Sequence, residues 1–204
     1  DKVYTPGDPG HAHRETDALG GLDPYAASKA MAEAVVATFR RLPAIDDHRA
    51  WAVPMATARA GNVIGGGDWS HERLLPDCVR AFARGEQVVL RLPRALRPWQ
   101  HVLDPLTGYL LLAEDLALGG TSAPQAVNFG PDAEATVGEV ARLAADAWGD
   151  GARVEERSSE DVPPETGVLR LDSTLAMTAL GWRPRWDVRV AVDRTIAWHR
   201  AHLA

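Results

Sequence analysis

The chain has 204 residues, 46% of them hydrophobic and 25% charged, which is enough to bury a core in one or two globular domains. Its formal net charge of −6 argues against nucleic-acid binding, which requires a basic face to neutralise phosphates. The sequence contains neither a membrane-length apolar run nor a signal segment, so we expect a cytoplasmic protein without membrane contact. The only cysteine, Cys78, excludes an internal disulfide and a cysteine-based zinc site.

The first half of the chain is predicted to begin with a helix and a strand. Asp23-Pro24 predicts a helix start, and small and apolar residues recur at helical spacing over about 25–41. Residues 51–63 are typical of a buried strand, which Gly65-Gly66-Gly67 ends as a turn that permits close backbone approach. Three shorter elements follow: a helix over 76–84 closed by Gly85, a strand over 87–92 and an extended piece over 99–102.

The second half continues the alternation of helices and strands. Residues 136–148 are amphipathic, with Val140 and Ala144 among the residues of the apolar face. The other predicted elements are a helix over 105–118, strands over 126–129 and 153–156, a loop through Pro163-Pro164, and helices over 173–180 and 188–201. Because strands alternate with helices throughout, the sequence predicts an α/β fold.

Tyr25 and Lys29 form a Tyr-x-x-x-Lys pattern at the start of the first predicted helix. This spacing puts both side chains on one helix face, where an ammonium group stabilises a phenolate that can take a proton from a hydroxyl group. The pattern alone has little specificity, because tyrosine and lysine stand four residues apart in many helices. The sequence around the pattern is what indicates a function for these two residues.

Several sequence blocks around this pattern resemble the extended short-chain dehydrogenases/reductases, and within them the CDP-glucose 4,6-dehydratases. Gly-Gly-Gly-Asp-Trp and Arg-Pro-Trp-Gln-His are the most specific parts of a resemblance that covers nearly the whole chain. The blocks are 19–33, 58–69, 73–77, 97–109, 128–131, 171–173 and 180–184. The resemblance implies the C-terminal part of a Rossmann-like NAD-binding domain over 1–70. It also implies a smaller α/β substrate-binding domain, mainly over 71–204, with short segments that return to the Rossmann part.

The same resemblance implies the catalytic residues. Tyr25 would take the proton of the sugar C4 hydroxyl, and Lys29 would bind the nicotinamide ribose and assist the tyrosine. Asp1 would protonate the departing C6 hydroxyl, while Lys2 stands where other nucleotide-sugar dehydratases have a glutamate that removes the C5 proton. The implied reaction converts CDP-glucose to CDP-4-keto-6-deoxyglucose and water through transient oxidation at C4 by bound NAD.

Further residues are implied to bind cofactor and substrate. Those for NAD are Tyr25, Lys29, Ala60, Asn62 and Val63, and those for the nucleotide sugar are Asn62, Arg73, Leu74, Arg91 and Arg97. Six arginines stand against two acidic residues between positions 73 and 97, so a pyrophosphate could be held there by bidentate guanidinium contacts. Each arginine taken singly is also compatible with a solvated helix face or a structural salt bridge, and Asn62 with a turn beside the glycines.

The glycine-rich fingerprint that seats a dinucleotide pyrophosphate at a helix N-terminus is not found in these 204 residues. We therefore expect an N-terminally truncated fragment that binds NAD poorly and turns over little by itself. The resemblance implies a homodimer for the complete enzyme. Two alternatives remain: a nucleotide-sugar 4-epimerase, which needs no acid at Asp1, and a non-catalytic nucleotide-sugar-binding module.

The sequence predicts no metal site. His11 and His13 could chelate an ion, but they have no companion ligand at helical spacing. They are therefore interpreted as part of a solvated loop.

Overall fold

The computed structural model describes residues 1–8, 10–41, 54–119, 124–157 and 168–204. The helices in these ranges are α1 Pro24–Arg41, α2 Leu74–Ala83, α3 Leu103–Ala117, α4 Val137–Trp148, α5 Thr174–Leu180 and α6 Val188–Leu203. The strands are β1 Thr57–Ala60, β2 Asn62–Ile64, β3 Val88–Leu90, β4 Leu96–Arg97, β5 Trp99–His101, β6 Ala126–Phe129, β7 Ala135–Thr136 and β8 Val154–Glu156. Among the described helices, none combines the length and the apolar character needed to cross a membrane.

The chain divides into two compact units and passes from one to the other five times. The first unit contains Asp1–Ala60, Leu106–Phe129 and Leu171–Arg183. The second contains Gly61–Pro105, Gly130–Arg170 and Pro184–Ala204. Neither unit is a continuous stretch of sequence. The domain boundary predicted at residue 70 stays a prediction.

The first unit is built around a parallel pair of strands. β1 pairs with β6 along its whole length, from Thr57 opposite Ala126 to Ala60 opposite Phe129. α5 packs against β6. The apolar core of this unit contains Leu112, Val127, Phe129, Ala176 and Trp182.

The helix α1 begins where the sequence predicts, because Asp23 caps it. Asp23 Oδ1 accepts a hydrogen bond of 2.8 Å from Ala26 N, which satisfies a backbone donor of the first turn. The buried face of α1 differs from the apolar pattern, since Ala26 and Glu33 are buried while Met31 is 62% exposed. A helix so rich in alanine shows too little contrast for periodicity to identify its buried face.

The second unit holds three strand pairs and a larger apolar core. β2 pairs with β5 and β3 with β8 in parallel, while β4 pairs with β7 antiparallel. α4, which packs against α2 and α6, starts with a capping box. Thr136 Oγ1 accepts a bond of 3.1 Å from Glu139 N, and the Glu139 carboxylate accepts one of 2.7 Å from Thr136 N.

The predicted α/β class and the order of the elements are confirmed. Each predicted helix begins and ends within one or two residues of its expected bounds, with α2 and α3 both starting two residues early. The short pair β4 and β7 is not predicted by the sequence. The loop predicted through Pro163-Pro164 lies outside the described residues.

The single strand predicted over 51–63 is wrong. Residues 51–53 lie outside the described part, and further along Gly61 separates β1 from β2, which belong to different units. A Cβ atom at Gly61 would lie 2.5 Å from the carbonyl oxygen of Pro98, so only glycine fits there. The predicted glycine turn is confirmed: Gly67 has a φ of +83°, and a Cβ at Gly66 would overlap the indole of Trp198.

Candidate active site

The segment Asp1-Lys2 lies at the carboxyl end of β1. Asp1 N donates a hydrogen bond of 2.9 Å to the carbonyl oxygen of Ala60, the last residue of that strand. Lys2 is partly buried, and Val3 and Tyr4 anchor the segment in the interior. Ligands of α/β proteins bind outside the carboxyl ends of parallel strands. The two candidate residues therefore stand at an edge where functional groups gather.

One carboxylate oxygen of Asp1 is buried. Oδ2 of this side chain has no hydrogen-bond partner among the residues that the structure describes. Buried polar atoms nearly always have a partner, and an exception calls for a role such as proton transfer or ligand contact. Asp1 therefore presents a carboxylate oxygen at this edge that bonds to none of the described residues.

Tyr25 and Lys29 lie one turn apart on the same face of α1. Tyr25 is 55% exposed, and Lys29 is exposed as well. Within the described ranges, neither side chain takes part in a hydrogen bond or an ion pair; only the backbone oxygen of Tyr25 accepts one, from Ser28 Oγ at 2.7 Å. Both functional groups are therefore available to a ligand.

A buried ion pair fixes α1 against β1. Arg59 donates from Nε to Glu33 Oε1 at 2.8 Å and from Nη2 to Oε2 at 2.9 Å, a bidentate pairing. Thr57 Oγ1 donates a further bond of 2.8 Å to Glu33. Burial alone would raise the pKa of Glu33, but the hydrogen bonds from Arg59 and Thr57 hold it below its ordinary value. The carboxylate is therefore charged at neutral pH.

Tyr4 extends this ion pair to β6. Arg59 Nη1 donates to the Tyr4 hydroxyl at 2.9 Å, and that hydroxyl donates to Asn128 Oδ1 at 2.5 Å. We call Glu33, Arg59, Tyr4 and Asn128 the buried network. It links the helix that carries Tyr25 to both strands of the pair and to the segment that begins at Asp1. The relative positions of the candidate catalytic residues therefore depend on directional bonds.

Sequence reasoning missed the buried network, although one signal for it was present. Arg59 is a lone charged residue inside a predicted buried strand, and a buried charge requires a partner. Glu33 falls seven residues after Ala26, hence on the same face of the helix. The pattern gave no means of joining the two, because they are 26 positions apart.

The predicted binding residues are divided between the units. Ala60 belongs to the first unit, where it meets Asp1, while Asn62 and Val63 form the start of β2 in the second. Arg73 is the residue before α2, exposed and without a capping bond from its side chain. Leu74, the first residue of α2, is half-buried.

The remaining two arginines differ in their surroundings. Arg91 follows β3 and is exposed, as a phosphate ligand must be before binding. Arg97 is buried on β4, and its Nη1 donates a bond of 2.9 Å to the carbonyl oxygen of Leu96. Arg97 is therefore already part of the interior of its unit.

Two residues in and after the Arg-Pro-Trp-Gln-His block, Trp99 and Asp104, make contacts that stabilise the fold. Trp99 is buried, and its Nε1 donates a bond of 3.0 Å to the carbonyl oxygen of Ala135. Asp104 accepts bonds from the backbone nitrogens of Arg185 at 3.0 Å and Trp186 at 3.4 Å. These contacts hold the segment that leads into α6, so the specificity of the block reflects packing as well as chemistry.

Comparison with known proteins identifies the relatives of this two-unit α/β chain. The model of the NAD dependent epimerase/dehydratase family matches residues 1–130. The CDP-glucose 4,6-dehydratase of Salmonella typhimurium is 41% identical over an alignment that covers 100% of this chain and 57% of that protein. A dTDP-glucose 4,6-dehydratase of Actinoplanes is 30% identical, over 99% of this chain and 58% of that protein. The chain thus spans less than two thirds of the relatives that it matches.

Solved structures share the fold. UDP-glucuronic acid 4-epimerase from Bacillus cereus, in complex with UDP-glucuronic acid and NAD, matches with a TM-score of 0.78 and 16% identity, over 98% of this chain and 59% of that one. This likeness establishes the Rossmann-like class of the fold, as the sequence predicts. The chain belongs to the NAD dependent epimerase/dehydratase family.

Proposed function

We propose that this chain supplies catalytic and substrate-binding residues to an NAD-dependent nucleotide-sugar 4,6-dehydratase, with CDP-glucose as substrate. The observation that carries the proposal is the buried Oδ2 of Asp1 at the end of β1, unpartnered among the described residues, in the same unit as the exposed side chains of Tyr25 and Lys29. A dehydratase needs an acid for the leaving hydroxyl in addition to a base for the C4 hydroxyl. The 41% identity to a CDP-glucose 4,6-dehydratase supports the choice of substrate.

Tyr25 and Lys29 are exposed in a way that would allow contact with bound NAD. Both side chains are exposed on one helix face, so a nicotinamide ribose could bond to Lys29 while a sugar hydroxyl faces Tyr25. Tyr25 would take the C4 hydroxyl proton as C4 is oxidised. When bound, NAD supplies a reversible acceptor for the hydride that leaves C4 and later reaches C6.

Asp1 and Lys2 would act in the elimination. The keto group at C4 makes the neighbouring C5 proton more acidic, so modest acid and base groups suffice for the loss of water. Asp1 would give a proton to the departing C6 hydroxyl. Lys2 stands where related enzymes are expected to have a glutamate that removes the C5 proton, and we propose that the amine of Lys2 takes this proton. Arg73 and Arg91 would bind the diphosphate.

Replacing Asp1 in the protein that carries this chain tests the proposal. Asp1→Asn should lower formation of the 4-keto-6-deoxy sugar from CDP-glucose by about 10²–10⁴-fold, the range typical of a lost general acid, while oxidation at C4 persists. Tyr25→Phe should abolish both steps. Solvent hydrogen exchange at C5 and the absorbance of reduced nicotinamide distinguish the two blocks.

The same variant separates the alternatives. A 4-epimerase would keep its activity in Asp1→Asn, and a binding module would show calorimetric binding of CDP without any turnover. Parallel assays with CDP-, UDP- and dTDP-glucose address the base of the nucleotide. The homodimer and the cytoplasmic location stay predictions from the sequence.

A further inference from the structure

Two imidazoles converge on one carboxylate in the segment between Lys2 and α1. His11 Nε2 lies 2.5 Å from Asp17 Oδ2, and His13 Nδ1 lies 3.3 Å from the same oxygen. The two rings are nearly perpendicular, at 89° with centres 5.5 Å apart. One potential ligand atom from each of the three residues lies within 4.8 Å of the other two. Asp17 is thus the third potential ligand beside His11 and His13, which the spacing of residues in the sequence did not indicate.

The backbone holds these three side chains in place before any ligand binds. Asp17 N donates to the carbonyl oxygen of Arg14 at 3.0 Å, and Arg14 N donates to Asp17 Oδ2 at 3.0 Å, so the two residues close a tight turn. His13 is buried, its ring stacked on Tyr4 at 4.7 Å with an interplanar angle of 1°. Asn128 Nδ2 donates to the carbonyl oxygen of His13 at 2.8 Å. The buried network therefore anchors one ligand of the cluster.

We propose that His11, His13 and Asp17 form a binding site for a divalent transition-metal ion of the zinc class. Zinc binds imidazole nitrogen at about 2.0–2.1 Å and carboxylate oxygen at about 2.0–2.2 Å, usually with four ligands. His11 Nε2 and Asp17 Oδ2 would need to move apart by about an ångström to admit the ion, whereas the 3.3 Å between His13 Nδ1 and Asp17 Oδ2 already suits a tetrahedral site. The exposed side of His11 leaves the fourth position to water. The donor set excludes a preference for magnesium, which selects oxygen ligands in an octahedron.

The site lies within the segment between Lys2 and the start of α1. An ion bound there would cross-link His11 to the turn at Asp17, within the stretch between Lys2 and the start of α1. Its effect would be structural, because an ion that binds the folded state alone stabilises it in proportion to the logarithm of its concentration. The inference does not depend on the proposed catalytic function.

Calorimetric titration of the protein that carries this chain, prepared without a histidine tag, tests the site with zinc chloride as the probe. We expect one zinc ion per chain, no measurable binding of magnesium chloride, and a rise in the thermal midpoint when zinc is added. His11→Asn and Asp17→Asn should each weaken zinc binding at least about tenfold, since loss of a mere hydrogen-bond partner of a ligand already costs about 10–100-fold. Both leave the stacking of His13 on Tyr4 intact, and in Asp17→Asn the amide oxygen of the new side chain can still accept the bond from Arg14 N.

His71→Asn is the matched control, because His71 is an exposed histidine outside the cluster. It should bind zinc as the parent chain does. Cobalt(II) supplies a second readout: the visible absorption of a four-coordinate site should form with the parent chain and disappear in both ligand variants. Absence of saturable zinc binding would overturn the proposal. So would binding that persists unchanged in His11→Asn and Asp17→Asn, or that is lost equally in His71→Asn.

Discussion

Two buried clusters, one in each unit, are held together by different interactions. In the first unit, Glu33, Arg59 and Tyr4 place charges and hydroxyls among the buried residues, and directional bonds fix their geometry. In the second, the buried cluster is apolar and includes Val79 and Ile196. Apolar contact is non-directional, so it favours close packing without fixing one arrangement of side chains. A buried charge, in contrast, tolerates few arrangements of its partner. The second unit buries polar groups as well, among them Gln100 and His199, but its cluster around Ile196 is apolar.

Removing one partner of the ion pair should give the largest loss of stability. Glu33→Ala leaves the Arg59 guanidinium buried without its carboxylate, and we expect a cost of about 3–5 kcal/mol in the free energy of unfolding. Denaturant titration, with amide exchange of β1 and β6 to report on the first unit, measures it. Asp150→Asn is the control, since it removes an exposed pair with Arg200 at 3.1 Å and should cost less than about 1 kcal/mol. Equal costs for the two variants would contradict the view that burial makes the Glu33–Arg59 pair indispensable.

A cavity in the second unit should cost somewhat less, about 2–5 kcal/mol with wide dependence on local repacking. Ile196 on α6 is fully buried in the apolar cluster, so Ile196→Ala removes methyl and methylene contacts that no polar group replaces. The same denaturant titration applies, with exchange of α4 and α6 as the local probe. Ile196→Val should recover most of the loss, because a non-directional core accepts a smaller change in volume.

Loss of a single hydroxyl in the buried network should have a smaller effect than either of these substitutions. Tyr4→Phe keeps the ring that stacks on His13, but it deprives Arg59 of an acceptor and Asn128 of a donor. We expect a cost of about 1–3 kcal/mol, since both partners stay buried. In Glu33→Ala/Tyr4→Phe the two costs should not add, because the residues share Arg59. Strict additivity would show that the network is not a unit.

Acid should affect the contributions of His199 and Glu33 to stability over different ranges of pH. Burial lowers the pKa of His199, with His202 also lowering it and Asp68 raising it, so the folded state binds fewer protons than the unfolded state below about pH 6.5. Stability of the second unit should therefore fall as the pH drops below that value towards the folded-state pKa. The contribution of Glu33, whose pKa is depressed, is complete above its ordinary value of about 4.3 and is lost only as the pH falls further. Amide exchange of α6 against pH measures the first effect, and His199→Phe should flatten the curve.

The sequence predicts helices better than it predicts the candidate site. α4 has a strong apolar stripe and a Thr-x-x-Glu capping box, both of which are local, so its bounds follow from the residues themselves. The break at Gly61 depends on the approach of Pro98, and the burial of Glu33 depends on Arg59. Contacts of this kind, between positions far apart in the chain, do not produce a periodic residue pattern that a single sequence would show.

The interleaving of the units also bears on the order in which the protein can fold during synthesis. The apolar cluster of the second unit includes Ala191, Val192 and Ile196, all fully buried residues of α6. Domains are generally completed from the N-terminal side as the chain leaves the ribosome. Here the second unit starts at Gly61, but its apolar core is incomplete until α6 has left the ribosome. The incomplete core must therefore remain exposed to solvent or chaperones while the intervening segments of both units are synthesised.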